Sequence, residues 1–476
     1  MQVEMAGREA VPETRFGVPG PITCRAIGSG KSLFLQAHSG SWIIVENQSV
    51  PNVQALLEAA SSRLLDRFSD ALEIPLVAEL YRAGLLSVNG RNAWDRVDFE
   101  NETSEINTLI LKMAGYCNIA CTYCYDFEAA TYKNRLTVEQ GKKAIRGTLE
   151  NAGPRLNILF HGGEPLLAFD AITDLVAYAQ VEAQKADTEL LLSIQTNGTR
   201  FTPEIVKFLI KNRFSVGVSL DGPKSVNDTF RVDFKGRGTW QNITEAISDF
   251  PELASQMGVL TTVTNANAAR LKEVACHFRD WGVRCWDVTV FQAAGRATKK
   301  PSRFAPDLDE LIASYIDLLD GVEADEFGDM EIRPVLHYVR NVLGYERPNM
   351  CLRNGCGAAK ELVSVSADGT VEACDCISEP ALSLGSLADG GISQALSSAE
   401  ARSIRSRTVR SLTPCATCDW RIFCGGTCLA KTGDVTKVDT GECAVSMALF
   451  PDILRRLANS DRLLRYAERF ADPLAH

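Results

Sequence analysis

The stretch that decides the fold begins at Met113 and has the sequence M-A-G-Y-C-N-I-A-C-T-Y-C through Cys124. It places three cysteines, Cys117, Cys121 and Cys124, in a C-x3-C-x2-C pattern, directly after an apolar segment at 108–113 that predicts a strand. Loops at the carboxyl ends of parallel strands are where α/β folds place their chemistry. We therefore expect these three thiols to form a functional site.

The other cysteines are distributed unevenly along the chain. Of the fifteen cysteines in 476 residues, nine lie from Cys351 to Cys443. The chain is long, its first 20 residues contain no hydrophobic run, and its cysteine count is odd. We therefore expect no signal peptide, and thiols that bind metal or catalyse rather than form disulfides.

Composition and charge exclude several classes of protein. Hydrophobic residues make up 45% and charged residues 23%, which is typical of a soluble globular protein. No apolar stretch approaches the roughly 20 residues of a membrane helix. The net charge of -10 disfavours a nucleic-acid partner bound through bulk charge. We expect a soluble, cytoplasmic protein with no nucleic-acid or membrane partner.

Residues 1–100 form a separate unit with alternating strand and helix signals. Strands are predicted at 31–36, 41–46 and 85–88, and helices at 53–70 and 74–83. This order predicts a winged-helix-like domain. A DNA-binding role is disfavoured by nine basic against twelve acidic residues. Recognition of an extended peptide along the sheet edge is favoured, and a capping domain with no ligand stays open.

The next segment, 107–292, alternates apolar strands with amphipathic helices. Strands are predicted at 108–113, 156–160, 190–196, 214–220, 257–264 and 285–291, and helices at 137–151, 170–183, 202–211, 241–250 and 268–281. This rhythm predicts a parallel α/β sheet, a partial (β/α)6 barrel of the TIM type. Six units fall short of the eight of a closed barrel, so one side stays open to a large substrate.

Three further segments follow the partial barrel. A helical bridge is predicted at 293–350, with its clearest helix at 308–319. A cysteine-rich domain is predicted at 351–445, and a C-terminal helix at 447–469 within the segment 446–476.

Three closely spaced thiolates can hold three irons of a four-iron cluster and leave the fourth iron open. A zinc site completed by a distant histidine is the alternative. The five histidines, His38, His161, His277, His337 and His476, do not cluster in sequence in a way that supports it.

The C-x3-C-x2-C loop on a partial barrel resembles the radical S-adenosylmethionine (SAM) superfamily. The resemblance implies that the open iron is chelated by SAM, whose cleavage yields a 5′-deoxyadenosyl radical and methionine. It also implies SAM contacts from the segments that follow the later strands. These are Gly162, Gly163 and Glu164 of a GGEP motif, with Glu164 meeting the SAM amino group, and also Tyr123 beside the adenine, Asn197, Ser219 and Arg231. Asn197, Ser219 and Arg231 are also compatible with turn or surface positions.

The later cysteines resemble the SPASM extension of radical SAM enzymes that modify peptides and proteins. Its C-x9–15-G-x4-C pattern is matched by Cys356, Gly369 and Cys374. The resemblance implies two auxiliary [4Fe-4S] clusters, three in all. Cys351, Cys356, Cys374 and Cys428 would hold the nearer auxiliary cluster, and Cys415, Cys418, Cys424 and Cys443 the farther one. A pair of zinc ribbons is the alternative.

Four cysteines stay outside these sets. Cys276 and Cys285 are expected to be buried apolar residues, and Cys376 is either a buried residue or a reactive thiol. Cys24 has no assigned role. Asp375 matches the position of a proposed general base in anaerobic sulfatase-maturating enzymes, and is also compatible with a solvated turn.

The resemblance implies a radical SAM oxidoreductase that matures a peptide or small protein. The layout is most like that of the maturases of quinohemoprotein amine dehydrogenase, which form thioether bonds from Cys sulfur to a side-chain carbon of Asp or Glu. A carbon–carbon cyclophane synthase and Ser or Cys oxidation to formylglycine are the alternatives within the enzymes. Outside them, the alternative is a zinc-ribbon regulatory protein. The expected partners are a substrate with a leader segment and a flavodoxin- or ferredoxin-like electron donor.

Overall fold

A computed structural model describes residues 14–67, 74–92, 105–254, 257–344, 349–377 and 379–471. Within these ranges, no helix is long and apolar enough to cross a membrane.

The N-terminal unit has its own small core. Its elements are β1 (Phe16–Gly17), β2 (Ile22–Gly28), β3 (Lys31–Gln36), β4 (Ser41–Glu46), α1 (Val50–Ser61), α2 (Pro75–Arg82) and β5 (Ser87–Val88). β2, β3 and β4 form an antiparallel sheet, and β1 pairs with β5. Phe34, Val53, Val77 and Leu80 are buried together between sheet and helices.

Most of the predicted elements in this unit are present. The strands predicted at 31–36 and 41–46 have the predicted bounds, whereas β2 was not predicted because its exposed residues give no apolar alternation. The first helix ends at Ser61 rather than at 70, because the chain turns at Arg63, whose φ of 61° lies in the left-handed region. Residues 68–70 and the boundary near 100 lie outside the described residues. The winged-helix assignment stays a prediction.

A ten-stranded sheet dominates the rest of the molecule. Its order is β12-β11-β10-β9-β8-β7-β6-β13-β14-β15. Its strands are β6 (Ile106–Lys112), β7 (Ala152–His161), β8 (Glu189–Thr196), β9 (Ser215–Ser219), β10 (Met257–Val263), β11 (Cys285–Val290), β12 (Glu331–Ile332), β13 (Leu362–Val365), β14 (Thr370–Glu372) and β15 (Ser383–Ser386). The strands β6 to β11 are parallel and neighbour one another in chain order, which confirms the predicted open barrel of six units.

The helices of the barrel cover the outer face of this sheet. They are α3 (Val138–Leu149), α4 (Phe169–Lys185), α5 (Pro203–Lys211), α6 (Lys224–Phe230), α7 (Trp240–Ser248), α8 (Pro251–Ala254) and α9 (Leu271–Asp280). Helix α3 begins at a capping box in which Thr137 and Gln140 satisfy each other's backbone donors. On β10, Met257, Val259 and Val263 alternate with half-buried residues. Burial of each such side chain contributes about 1.5–3 kcal/mol.

The cysteine-rich segment is joined to the same sheet. Its strand β13 pairs in parallel with β6, so it extends the barrel sheet instead of forming a detached domain. The remaining helices are α10 (Leu308–Glu323), α11 (Arg333–Leu343), α12 (Gly391–Leu396), α13 (Ala399–Arg405), α14 (Thr413–Ala416), α15 (Arg421–Cys424), α16 (Leu429–Thr432), α17 (Thr440–Asn459) and α18 (Arg462–Arg469). The single C-terminal helix predicted at 447–469 is two helices, because the chain is extended at Ser460.

The N-terminal sheet packs on the cysteine-rich segment and its neighbouring helices. Arg25 forms an ion pair with Asp419, and its guanidinium lies 5.9 Å from the ring centre of Trp420. Trp42 Nε1 donates to the carbonyl of Val342 at 2.8 Å. The N-terminal unit is therefore held against the cysteine-rich segment and helix α11.

Candidate active site

A cavity of about 270 Å³ lies where the carboxyl ends of the barrel strands meet. The loop after β6 forms one wall, and the segment around Asp375 from the cysteine-rich region forms another. A larger cavity of about 660 Å³ adjoins it, and both are lined by Tyr125, Arg296, Asp375 and Cys376. The structure thus brings residues from both cysteine regions to one space.

The three cysteines of the first loop all line the smaller cavity. Burial, followed by the charges of Glu164 and Cys121, raises the pKa of the Cys117 thiol to about 12. Asn197 Nδ2 lies 3.4 Å from Cys117 Sγ, and Arg231 Nη1 lies 3.8 Å from Cys121 Sγ. Donors from the loop after β8 and from the end of α6 therefore face the thiols, as they would face thiolates bound to iron.

The glycines of the GGEP motif let two loops approach closely. Gly162 and Gly163 have φ of 82° and 53°, and a Cβ on Gly163 would lie 2.0 Å from the Tyr116 carbonyl oxygen. Only glycine fits this contact. The backbone N–H of Gly163 donates to Asp126 Oδ2 at 3.0 Å. The motif is thereby placed against the cysteine loop.

The Glu164 carboxylate does not line the cavity, and its contact with the SAM amino group stays a prediction. It is fully buried and accepts hydrogen bonds from Thr196 Oγ1 at 2.7 Å and from the backbone N–H groups of Asn197 and Leu166. Burial raises the pKa of Glu164 to about 7, although these hydrogen bonds lower it. Its carboxylate positions the loop after β8, and Gly163 is the residue of the motif that lines the cavity.

The other predicted SAM residues all line the smaller cavity: Tyr123, Asn197, Ser219 and Arg231. Ser219 Oγ accepts from Gln195 Nε2 at 2.8 Å. Arg231 is paired with Asp221 at 3.1 Å and lies over the ring of Tyr123 at 5.6 Å. Asp221, which the analysis of the sequence did not assign to the site, also accepts a hydrogen bond from the Tyr123 hydroxyl at 2.5 Å.

The structure brings each predicted auxiliary set together. Burial, followed by the charges of Cys428, Cys374 and Cys356, raises the pKa of the Cys351 thiol well above its usual range. In the other set, burial and then Cys424, Cys418 and Cys443 raise the pKa of Cys415 to about 11. The two sets interleave along the chain, in the grouping that the resemblance implies.

The turn between Cys424 and Cys428 separates the two sets. Gly425, Gly426 and Thr427 all have positive φ, at 78°, 98° and 65°. A Cβ on Gly425 would lie 2.3 Å from the carbonyl oxygen of Arg353. The left-handed turn directs the two flanking cysteines to different sets.

Sulfur spacing distinguishes iron–sulfur clusters from zinc. Within the described residues, no set has three sulfurs that all lie within 4.8 Å of one another. Bonds of about 2.3 Å to one zinc ion would bring any two sulfurs within about 4.6 Å. No described histidine joins a group of three such ligand atoms either. Among the described residues, the group of three ligand atoms that is this compact is Cys374, Asp375 and Cys376, which combines two thiols with a carboxylate, so none of the three cysteine sets is spaced for a single zinc ion.

Asp375 lies in a buried polar network between the two cysteine regions. Tyr125 donates a hydrogen bond to Asp375 Oδ2 at 2.9 Å. Lys112, at the end of β6, is paired with Asp126 at 3.1 Å and Glu372 at 3.3 Å. Burial alone would raise the pKa of Asp375, but His161, Lys112 and the Tyr125 hydrogen bond together lower it below its usual range. Asp375 is thus a half-buried carboxylate at the cavity wall, and its role as a base stays a prediction.

Several of these residues were not assigned from the sequence. Lys112 and His161 end strands β6 and β7, and their position next to the two motifs is the signal that could have identified them. Gln292 follows β11 and donates to the carbonyls of Cys376 at 3.0 Å and Ala430 at 2.9 Å, which joins the barrel to the cysteine-rich region.

The four cysteines outside the cluster sets differ in exposure and in position. Cys276, on α9, and Cys285, on β11, are partly exposed rather than fully buried, and Cys24 is exposed on β2. Cys376 lines both cavities.

Comparisons with protein families agree with this architecture. Residues 111–275 match the radical SAM superfamily, and residues 356–419 match the SPASM family, an iron–sulfur cluster-binding domain. The chain contains a radical SAM domain and a SPASM domain. These domains imply SAM, a SAM-binding [4Fe-4S] cluster and auxiliary clusters, and the cysteine sets described above fit them.

Similar proteins include two types of sulfatase-maturating enzyme. A cysteine-type anaerobic sulfatase-maturating enzyme of Clostridium perfringens (strain 13 / Type A) is 24% identical over 68% of this chain and 88% of its own. A serine-type enzyme of Bacteroides thetaiotaomicron is 24% identical over 67% of this chain and 81% of its own.

Two solved structures share the fold. The structure of native anSMEcpe with bound AdoMet and Cp18Cys peptide superposes with a TM-score of 0.64 at 22% identity, over 76% of this chain and 98% of that one. Streptococcus suis SuiB bound to precursor peptide SuiA superposes with a TM-score of 0.54 at 14% identity, over 90% of this chain and 99% of that one. The chain therefore carries the two domains of radical SAM SPASM enzymes, and both of these similar structures were determined with a bound peptide.

Proposed function

We propose that this enzyme forms thioether cross-links from Cys sulfur to a side-chain carbon of Asp or Glu in a peptide or small protein subunit. The observation that carries the proposal is the shared cavity, which Asp375 lines together with the three cysteines of the first loop, while Cys374 of the nearer auxiliary set lies 3.4 Å from the Asp375 carboxylate. A substrate thiol in this cavity would lie next to the base, Asp375, and the nearer auxiliary cluster, which would accept the electron, would lie on the other side of Asp375.

The cofactors would be held by the cysteine sets. Cys117, Cys121 and Cys124 would bind the SAM cluster, with SAM lying along Gly163, Asn197, Ser219, Arg231 and Tyr123. When bound, SAM supplies hydrogen-atom abstraction from a substrate carbon and is cleaved to 5′-deoxyadenosine and methionine, and the auxiliary clusters accept the electron left when the carbon–sulfur bond forms.

Asp375 would take the proton of the substrate thiol. Its carboxylate is already ionised, because Tyr125 donates to it and Lys112 lies nearby. Each bridge then loses two hydrogens from the substrate, one as an atom from carbon and one as a proton to Asp375. This would make the enzyme an oxidoreductase.

The N-terminal unit would bind a leader segment of the substrate. In the described sheet, β4 is an edge strand, and a groove of about 450 Å³ lies between it and Leu457 and Ala458 of α17. An extended peptide can pair with such an edge through its backbone. The SuiB structure, bound to a precursor peptide, spans 90% of this chain, against 76% for the anSMEcpe structure, which supports a role for this added unit.

The proposed chemistry needs a reducing setting. We place the enzyme in the cytoplasm, where thiolate clusters persist, with a flavodoxin- or ferredoxin-like protein as electron donor.

Oxidation of Cys or Ser to formylglycine is the second candidate. It is favoured by the likeness to cysteine-type and serine-type sulfatase-maturating enzymes. The two candidates differ in the fate of sulfur, since a thioether retains it and formylglycine made from Cys loses it.

The deciding experiment is anaerobic turnover of the reduced enzyme with SAM and a leader-bearing small protein rich in Cys, Asp and Glu. Intact mass should fall by two hydrogens per bridge, with sulfur retained and one alkylatable thiol lost per bridge. Loss of sulfur would favour formylglycine made from Cys. Loss of two hydrogens with all thiols alkylatable would favour formylglycine made from Ser if a hydrazine labels the product as an aldehyde, and a carbon–carbon link if it does not.

A matched pair of variants tests the base. Asp375→Asn should still release 5′-deoxyadenosine but form bridges about 100-fold more slowly, within the range of general-base effects. Asp249→Asn, at an exposed position after α7, should behave as wild type. Equal rates in both variants would remove the base role from Asp375.

A further inference from the structure

Cys376 belongs to neither predicted cluster set, yet it lies between the nearer set and the cavity. It lines both cavities together with Asp375. The sulfurs of Cys374 and Cys376 and a carboxylate oxygen of Asp375 all lie within 4.8 Å of one another. Cys376 Sγ lies 3.6 Å from Asp375 Oδ2, and Cys374 Sγ lies 3.4 Å from Asp375 Oδ1. A cavity-facing thiol thus adjoins a predicted cluster ligand.

The thiol of Cys376 also faces the other cysteines of that set. Besides Cys374, the thiols of Cys428 and Cys351 lie close enough to that of Cys376 to interact with it electrostatically. Five thiols therefore converge where a four-iron cluster takes four.

Cys351 is the member of the set with the least support from the fold. It lies on a single short turn, Met350–Leu352, which begins at Asn349, and the residue as a whole is exposed although its thiol points inward. The Cys376 backbone is instead held by Gln292, which also bonds to Ala430, two residues beyond Cys428. One candidate ligand lies on the surface side of the set, and the other lies on the cavity side.

We propose that Cys376 is a fifth thiol of the nearer auxiliary site and can replace Cys351 as the fourth ligand of its cluster. The exchange balances without an electron: Cys376 loses its proton on binding iron, and the released Cys351 thiolate takes one up. With Cys351 bound, the cavity wall carries a free thiol; with Cys376 bound, it carries a cluster ligand. The proposal requires the auxiliary cluster alone and does not depend on thioether formation.

Iron analysis of single and double variants tests the exchange. Anaerobically reconstituted wild type should hold about twelve irons per chain. Cys351→Ala and Cys376→Ala should each keep about twelve, because one cysteine substitutes for the other, whereas the double variant should fall to about eight. Cys276→Ala, on α9, is the control for removal of an unrelated cysteine.

Two iron results would overturn the proposal. If Cys351→Ala already loses as much iron as the double variant, Cys376 is not a ligand. If the double variant keeps all its iron, the cluster needs neither cysteine.

Alkylation of the wild-type holoenzyme gives a second test that does not require a variant to fold. Under anaerobic conditions, iodoacetamide should label either Cys351 or Cys376, about one label per chain shared between the two, and leave Cys356, Cys374 and Cys428 protected. In Cys351→Ala, Cys376 should become protected. Labelling confined to Cys376 in wild type, with Cys376 still labelled in Cys351→Ala, would show a free thiol and overturn the exchange.

Discussion

The two cysteine regions of this protein are built in opposite ways. The first set lies within eight residues, on one loop at the end of one strand. The two auxiliary sets are drawn from 93 residues, from Cys351 to Cys443, and they interleave. The first site is therefore a local structure supported by its barrel, whereas the second exists only when distant segments have folded together.

The largest expected effect is on the first region. Cys121→Ala should reduce iron from about twelve to about eight per chain and abolish SAM cleavage, because the remaining two cysteines of a local loop have no substitute. The auxiliary iron should be unchanged. Iron analysis and 5′-deoxyadenosine release measure both, with Cys276→Ala as the control. A loss of auxiliary iron in the same variant would contradict the independence of the two regions, since they would then fold as one unit.

The interleaving of the two auxiliary sets can be tested at two neighbouring cysteines. Cys424→Ala and Cys428→Ala are four residues apart but face different sets. Each, made in the Cys376→Ala background so that the fifth thiol cannot replace Cys428, should lose about four irons, and electron paramagnetic resonance should show that a different cluster has gone in each. The double variant should lose about eight. The same missing signal in both single variants would contradict the assignment.

The third prediction concerns the contact between the first loop and the GGEP motif. Gly163→Ala places a methyl group 2.0 Å from the Tyr116 carbonyl oxygen at a φ of 53°, so it should destabilise the fold by about 3 kcal/mol and weaken SAM binding more than tenfold. Gly236→Ala is a matched control, since its φ is 76° and nothing lies within 4 Å of the added Cβ. Urea unfolding and SAM titration measure the two effects. Equal losses in both variants would mean that backbone conformation alone matters.

The fourth prediction uses the buried Glu164. Its pKa rises from an ordinary 4.5 to about 7 on folding, so the folded chain binds the proton more tightly than the unfolded chain. Its contribution is therefore full below about pH 4.5 and is lost as pH rises through about 7. Between pH 5 and 8, wild type should lose about 2–3 kcal/mol of unfolding free energy that Glu164→Gln does not lose. Parallel pH profiles for the two proteins would contradict the raised pKa.

The contrast between the regions also explains what could be predicted from sequence. The six barrel strands were predicted because each is an apolar run between amphipathic helices, and the first cysteine loop because its spacing is local. The cysteine sets of the second region required the resemblance, since spacing alone does not say which thiols meet.

Side-chain orientation was the part that sequence could not supply. The GGEP motif predicts a carboxylate at this position, but the sequence does not show that Glu164 accepts hydrogen bonds from Thr196 and from the backbone N–H of Asn197. Strand β13 pairs with β6 through a register that joins residues about 254 positions apart, which no local pattern indicates. Long-range pairing and burial decide these features.

The smallest expected effect is at the docking of the N-terminal unit. Arg25 and Asp419 form an ion pair on which Trp420 also packs, but half of the Arg25 side chain is exposed, so solvent weakens the attraction. A double-mutant cycle with Arg25→Ala and Asp419→Ala should give a coupling of about 0.5 kcal/mol in urea unfolding. Trp42→Phe, which removes the hydrogen bond to Val342, should cost about 1 kcal/mol by comparison. Asp419 directly follows Cys418, a predicted ligand of the farther cluster, so the iron content of the same variants should also be measured. It should stay at about twelve per chain. Loss of the farther cluster would mean that docking of the N-terminal unit is also needed to assemble that site.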